Sequence, residues 1–136
     1  GAPLIDGAVE AVRRIALERP VALASSAHRE VIDAALAATG LTDVFHVIVS
    51  SDEVAHGKPA PDVYLAAAQR LGVEPATCLV VEDSYNGVAA ARAAGMTTVL
   101  VPNASVPPAP GTAELADVVL SRLDSLDPTT VAPRRR

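Results

Sequence analysis

Two adjacent carboxylates, Glu82-Asp83, directly follow the apolar run Cys78-Leu79-Val80-Val81. Like charges placed this way crowd each other and resist burial. A hard cation such as Mg²⁺ relieves that cost, because it takes oxygen ligands and keeps waters and phosphate oxygens around it. The same pair also reads as an acidic helix start, with Asp83 capping a helix from Ser84. Lys58 lies in Gly57-Lys58-Pro59-Ala60-Pro61-Asp62, where the prolines stiffen the backbone. A lysine held this way can pair with phosphate or with a carboxylate, and it also reads as a plain surface residue in a turn. Ser25 and Ser26 close the apolar run Val21-Ala22-Leu23-Ala24. Their hydroxyls and the free N–H groups of a following helix suit a phosphate oxygen, or simple capping. His28, His46 and His56 lack the spacing of a metal cluster and read as loop or surface residues. No Ser/His/Asp triad is evident.

These residues need elements to hold them, and the chain alternates helical and strand patterns. Val9, Val12, Ile15 and Ala16 share one face of a helix over residues 7–19, with Asp6 as its N-cap and Pro20 as its stop. Further helices are expected over 29–39, stopped by Gly40, over 62–71, stopped by Gly72, and over 84–94, stopped by Gly95. Strands are expected over 21–24, 44–49, 78–81 and 97–101, with a short one over 117–120 and a helical turn near Leu123. Residues 50–61 and 102–111 read as loops. Strands alternating with single helices imply a mostly parallel sheet in an α/β fold. Ligands of such sheets bind beyond the carboxyl ends of the strands. Ser25-Ser26, Ser50-Ser51-Asp52, Glu82-Asp83 and Asn103 all follow strands directly.

The chain of 136 residues suffices for one domain, and half of it is hydrophobic. Residues 1–126 read as the core domain and 127–136 as a flexible C-terminal tail ending in Arg134-Arg135-Arg136. Aromatics make up only 2%, so Ala, Val, Leu and Ile must build the interior. A net charge of −5 argues against nucleic acid as the partner. No apolar stretch is long enough to span a membrane, and no signal peptide is evident. Cys78, the lone cysteine, fits a reducing compartment and a small buried hydrophobe, so the protein is expected in the cytoplasm.

Taken together, the motifs resemble the haloacid dehalogenase-like (HAD) superfamily, in particular the group of β-phosphoglucomutase and sugar-phosphate phosphatases. Val21-Ala22-Leu23-Ala24-Ser25-Ser26 resembles its second motif, Gly57-Lys58-Pro59-Ala60-Pro61-Asp62 its third, and Val80-Val81-Glu82-Asp83-Ser84-Tyr85-Asn86-Gly87 its fourth; Ala93-Ala94-Gly95-Met96 is also similar. The resemblance covers residues 6–103. It implies a Rossmann-like, three-layer, mostly parallel sheet and Mg²⁺-dependent phosphoryl transfer, by a phosphatase or phosphomutase, on a small phosphorylated metabolite. In that mechanism an aspartate attacks the phosphoryl group, and a second acid two residues later protonates the leaving oxygen. It further implies that Ser25, with Ser26 beside it, holds phosphate. Lys58 would balance phosphate and nucleophile, and Glu82 and Asp83 would hold the metal. The family's first motif, a strand followed by Asp-x-Asp-Gly-Thr, has no counterpart in these residues: before Asp6-Gly7, Leu4 stands in the nucleophile's place. The resemblance therefore implies that the central first strand and the cap domain lie outside this chain, which alone would be inactive. Unpaired strand edges would then invite self-association or an N-terminal fragment. The rival readings are a non-catalytic remnant that binds phosphate or metal, and a subunit that completes a sheet.

Overall fold

In the computed structural model, residues 7–103 and 105–131 are described. Leu4, the expected cap Asp6 and the arginine run lie outside them. Helix α1 (Ala8–Ala16) starts at Gly7, whose φ of 77° is left-handed, and ends four residues before Pro20. Glu10 in its first turn and Arg13 and Arg14 in its last complement the helix dipole. Strand β1 (Ala22–Ser25) leads into α2 (Arg29–Thr39), and β2 (Val47–Ser50) follows. Then come α3 (Asp62–Leu71), β3 (Leu79–Glu82), α4 (Tyr85–Ala93) and β4 (Thr97–Leu100). The described chain closes with α5 (Thr112–Leu115), β5 (Val118–Val119) and a 3₁₀ turn at Leu123–Ser125.

The expected helices over 29–39 and 62–71 form over those same residues, because Gly40 and Gly72 take left-handed φ values of 70° and 73° and end them. Strand β2 is shorter than its apolar pattern. Val44 N–H turns back to the Leu41 carbonyl at 3.1 Å, so residues 44–46 are not strand. Helix α5 was not expected; it follows Gly111 (φ 90°) and buries Thr112.

All observed pairings are parallel. Strand β1 runs beside β2 from Ala22 opposite Val47 to Ser25 opposite Ser50. Strand β4 lies between β3 and β5. The described strands thus form two sheets, β1-β2 and β3-β4-β5, and β1 does not pair with β3. Helices join the halves. On one face α1 packs Val9 toward the Ile32–Leu36–Leu41 cluster under β1-β2, and Ala11 into the Val99–Val101–Leu123 cluster beside β4. On the other face Val63, Tyr64 and Ala67 of α3 share a cluster with Val49, Val80 and Ala90. Four of the residues of α4, Gly87, Val88, Ala90 and Ala91, are buried, and their small size lets the helix lie close on β3 and β4.

Candidate active site

Lys58 reaches across the two sheets. Its Nζ donates to the Ala24 carbonyl of β1 at 3.1 Å and to Glu82 Oε2, at the end of β3, at 2.5 Å. Both side chains of the pair are only 10% exposed. The proline-rich loop between β2 and α3 delivers the lysine, with a cis bond between Lys58 and Pro59. His56 N–H donates to Asp62 Oδ2 at 3.2 Å and ties the loop to the first turn of α3.

Tyr64, in that same first turn, donates its hydroxyl to Glu82 Oε2, and the Lys58 ammonium sits 5.0 Å from its ring centroid. Burial, and then the Glu82 charge, push its phenol well above the ordinary tyrosine range. The sequence reading missed Tyr64. A buried aromatic on a helix reads as core, and the signal was its place just after Lys58 in the chain.

Asp83 is half-buried. Desolvation, and then the adjacent Glu82 charge, hold its carboxyl above the usual carboxylate range. Capping does not occupy it, because Ser84 is the N-cap of α4 and accepts from Gly87 N–H at 3.1 Å. Gly87 has a second role: a Cβ there would collide with the Glu82 carboxylate.

Ser25 stands at the same end, at the close of β1, and its Oγ accepts from Ala27 N–H at 3.1 Å. Ser26 is exposed, and its carbonyl accepts from Ser51 Oγ at 2.8 Å. Neither serine caps α2, whose N-cap is His28 with no side-chain bond. Instead Asp52, after β2, accepts from Arg29 N–H at 3.4 Å and from His28 Nδ1 at 2.8 Å. That pairing raises the imidazole above its usual value and lowers the Asp52 carboxyl. Ser50, fully buried, donates to the Ala27 carbonyl at 2.7 Å and joins the two loops. The structure thus brings Lys58, Glu82 and Asp83 together, with Ser25 at the same carboxyl end, and leaves Ser26 facing solvent.

No group of three or more His, Cys, Asp or Glu gathers among the described residues. The donor set still suits one hard cation. Asp83 is a crowded carboxylate whose charge is disfavoured by burial and by Glu82, and a cation would offset both. Cys78 is partly buried, packs beside the α3 cluster, and has its thiol pushed up by burial. Among the described residues, no helix is long and apolar enough to cross a membrane.

The family model of haloacid dehalogenase-like hydrolases matches residues 1–95. The chain is 48% identical over 104 residues to Protein CbbY of Rhodobacter capsulatus, covering 74% of this chain and 46% of that protein. It is 39% identical over 126 residues to Hexitol phosphatase B of Escherichia coli, covering 91% of this chain and 56% of that protein. The chain therefore spans about half the length of these curated relatives. Among solved structures, a putative β-phosphoglucomutase from Thermotoga maritima superposes with a TM-score of 0.76 at 32% identity, over 85% of this chain and 54% of that one. With the motif residues gathered at the carboxyl ends of parallel strands, these likenesses show that the chain belongs to the haloacid dehalogenase-like hydrolases, in the β-phosphoglucomutase-like group.

Proposed function

We propose that this chain supplies the phosphate- and metal-holding half of a Mg²⁺-dependent phosphoryl-transfer site acting on a small phosphorylated sugar or polyol, as a phosphatase or phosphomutase of the cytoplasm. The observation that carries the reading is the Lys58–Glu82 bridge at 2.5 Å beside a crowded Asp83, all at strand carboxyl ends. Lys58 offers positive charge to a phosphoryl oxygen. Ser25 offers a hydroxyl, and Ser26 the hydroxyl next to it. Asp83 and Glu82 hold Mg²⁺ directly or through water. Bound Mg²⁺ supplies charge neutralisation at the phosphoryl oxygens. Tyr64 positions both Lys58 and Glu82. Relatives named as hexitol and fructose-1-phosphate phosphatases support the substrate class. The sequence holds no Asp-x-Asp-Gly-Thr, and by the family resemblance the attacking aspartate comes from outside it.

Calorimetry with inorganic phosphate, beside release of phosphate from p-nitrophenyl phosphate, tests this. The chain is expected to bind phosphate only when Mg²⁺ is present, about tenfold more weakly as Lys58→Met, and to turn nothing over. Binding indifferent to both Mg²⁺ and Lys58 would sink the site. Turnover abolished by Asp83→Asn would sink the claim that the attacking group lies outside.

A further inference from the structure

Strands β1 and β2 lie side by side, and their ladder ends with Ser25 opposite Ser50. Beyond that rung both segments leave the sheet, so backbone groups in the two loops need partners of another kind. Ser25 meets part of that need by accepting from Ala27 N–H at 3.1 Å. A hydroxyl has one proton and two lone pairs, so this bond leaves the Ser25 proton to donate to a ligand oxygen. The direction of that proton is only as well set as the Ala27 backbone.

Ser50 holds that backbone. Its side chain is fully buried, and its hydroxyl donates across to the Ala27 carbonyl at 2.7 Å. The same oxygen accepts from Asp52 N–H at 3.2 Å and caps the 3₁₀ turn Ser51–Glu53. The Ser50 N–H donates to Glu53 Oε2 at 2.7 Å, and Glu53 accepts in turn from Arg70 at 3.0 Å and Arg29 at 3.4 Å. A serine that only capped that turn would need no more than the bond from Asp52. Instead the one proton of the hydroxyl is committed to the neighbouring loop, 23 residues away in sequence. Without it, the Ala27 carbonyl would lose its buried donor. Ser51 adds a second tie, from its hydroxyl to the Ser26 carbonyl at 2.8 Å, but from a partly exposed position.

We infer that Ser50 is a positioning residue for phosphate: its buried hydroxyl fixes the Ala27 backbone, and Ala27 N–H fixes the Ser25 hydroxyl so that its proton faces a phosphoryl oxygen. Ser50 lies too deep to touch the ligand itself. This role rests on the reading of Ser25 as a phosphate holder.

A double-substitution cycle on the affinity for inorganic phosphate, measured by calorimetry with Mg²⁺ present, tests it. Ser25→Ala is expected to weaken binding roughly tenfold, and Ser50→Ala roughly fivefold. Together they should weaken it about tenfold rather than about fiftyfold, because Ser50 acts only through Ser25. Ser50→Thr keeps the hydroxyl and should bind within about twofold of the parent. Thr98→Val removes an equally buried hydroxyl, near the start of β4, and should leave the affinity unchanged. If Ser50→Ala does not fold, Ser50→Cys, of similar volume and with a weaker donor, replaces it in the cycle. Losses that multiply would overturn the role, as would full affinity in Ser50→Ala or no recovery in Ser50→Thr. So would an equal loss in Thr98→Val, which would make phosphate binding a reporter of stability alone. A parent without phosphate affinity, or a silent Ser25→Ala, would overturn the phosphate reading itself and this role with it.

Discussion

Lys58 and Glu82 are each nine-tenths buried, so removing either leaves an uncompensated charge in the interior. Lys58→Met is expected to lower the unfolding free energy by about 2–4 kcal/mol in urea titrations. The double substitution Lys58→Met with Glu82→Gln should lose less than that, because no charge is stranded. Asp83 has the opposite sign. Its folded carboxyl binds a proton more tightly than the unfolded one, so stability falls as pH rises from about 3.8 through the raised midpoint. Asp83→Asn removes that loss. Without metal, the variant should melt roughly 2 °C above the parent at pH 7, with the difference gone near pH 3. The same variant should weaken Mg²⁺ binding by about tenfold in calorimetry. A residue that only capped α4 would show neither effect, since Ser84 holds that place.

Elements set these residues by close approach as much as by sequence distance. Helix α4 can lie over the Glu82 carboxylate only because residue 87 has no side chain. Gly87→Ala is expected to cost about 1–3 kcal/mol by denaturation, whereas Gly57→Ala, with its nearest neighbour at 3.7 Å, should be nearly neutral. At the start of α2, the His28–Asp52 pair tightens the loops after β1 and β2. It contributes between the lowered Asp52 midpoint and the raised His28 midpoint: lost as pH falls through the first, and lost as pH rises through the second. The His28 imidazole should therefore titrate above 6.5 by NMR, and Asp52→Asn should bring it down. The helices over 29–39 and 62–71 were legible because a glycine in the left-handed region marks each end. The candidate residues Ser25, Lys58, Glu82 and Asp83 were legible because polar side chains interrupt apolar runs where strands end. Contacts made across space were not. The turn at Val44, Tyr64 under Lys58, and Asp52 at the start of α2 all depend on partners that no local pattern names.

At the scale of the molecule, two sheets share helices above and below and a single lysine at their carboxyl ends. Strand β1 is only half-buried, while β4 is buried along its whole length. Under mild denaturant, amide exchange should release the β1-β2 ladder before β4, and release in the reverse order would contradict this account. The alternation of elements foretold the α/β class, and the motifs around Ser25, Lys58 and Glu82-Asp83 foretold the family. The division into two sheets followed from the resemblance rather than from any local pattern. The sparse aromatic content has one further consequence. The chain has no tryptophan and two tyrosines, of which Tyr85 is exposed and Tyr64 is buried against Glu82 and Lys58. Near-ultraviolet absorption and emission therefore carry a built-in optical reporter of this centre, and a ligand that draws Glu82 away from the phenol would announce itself without any label.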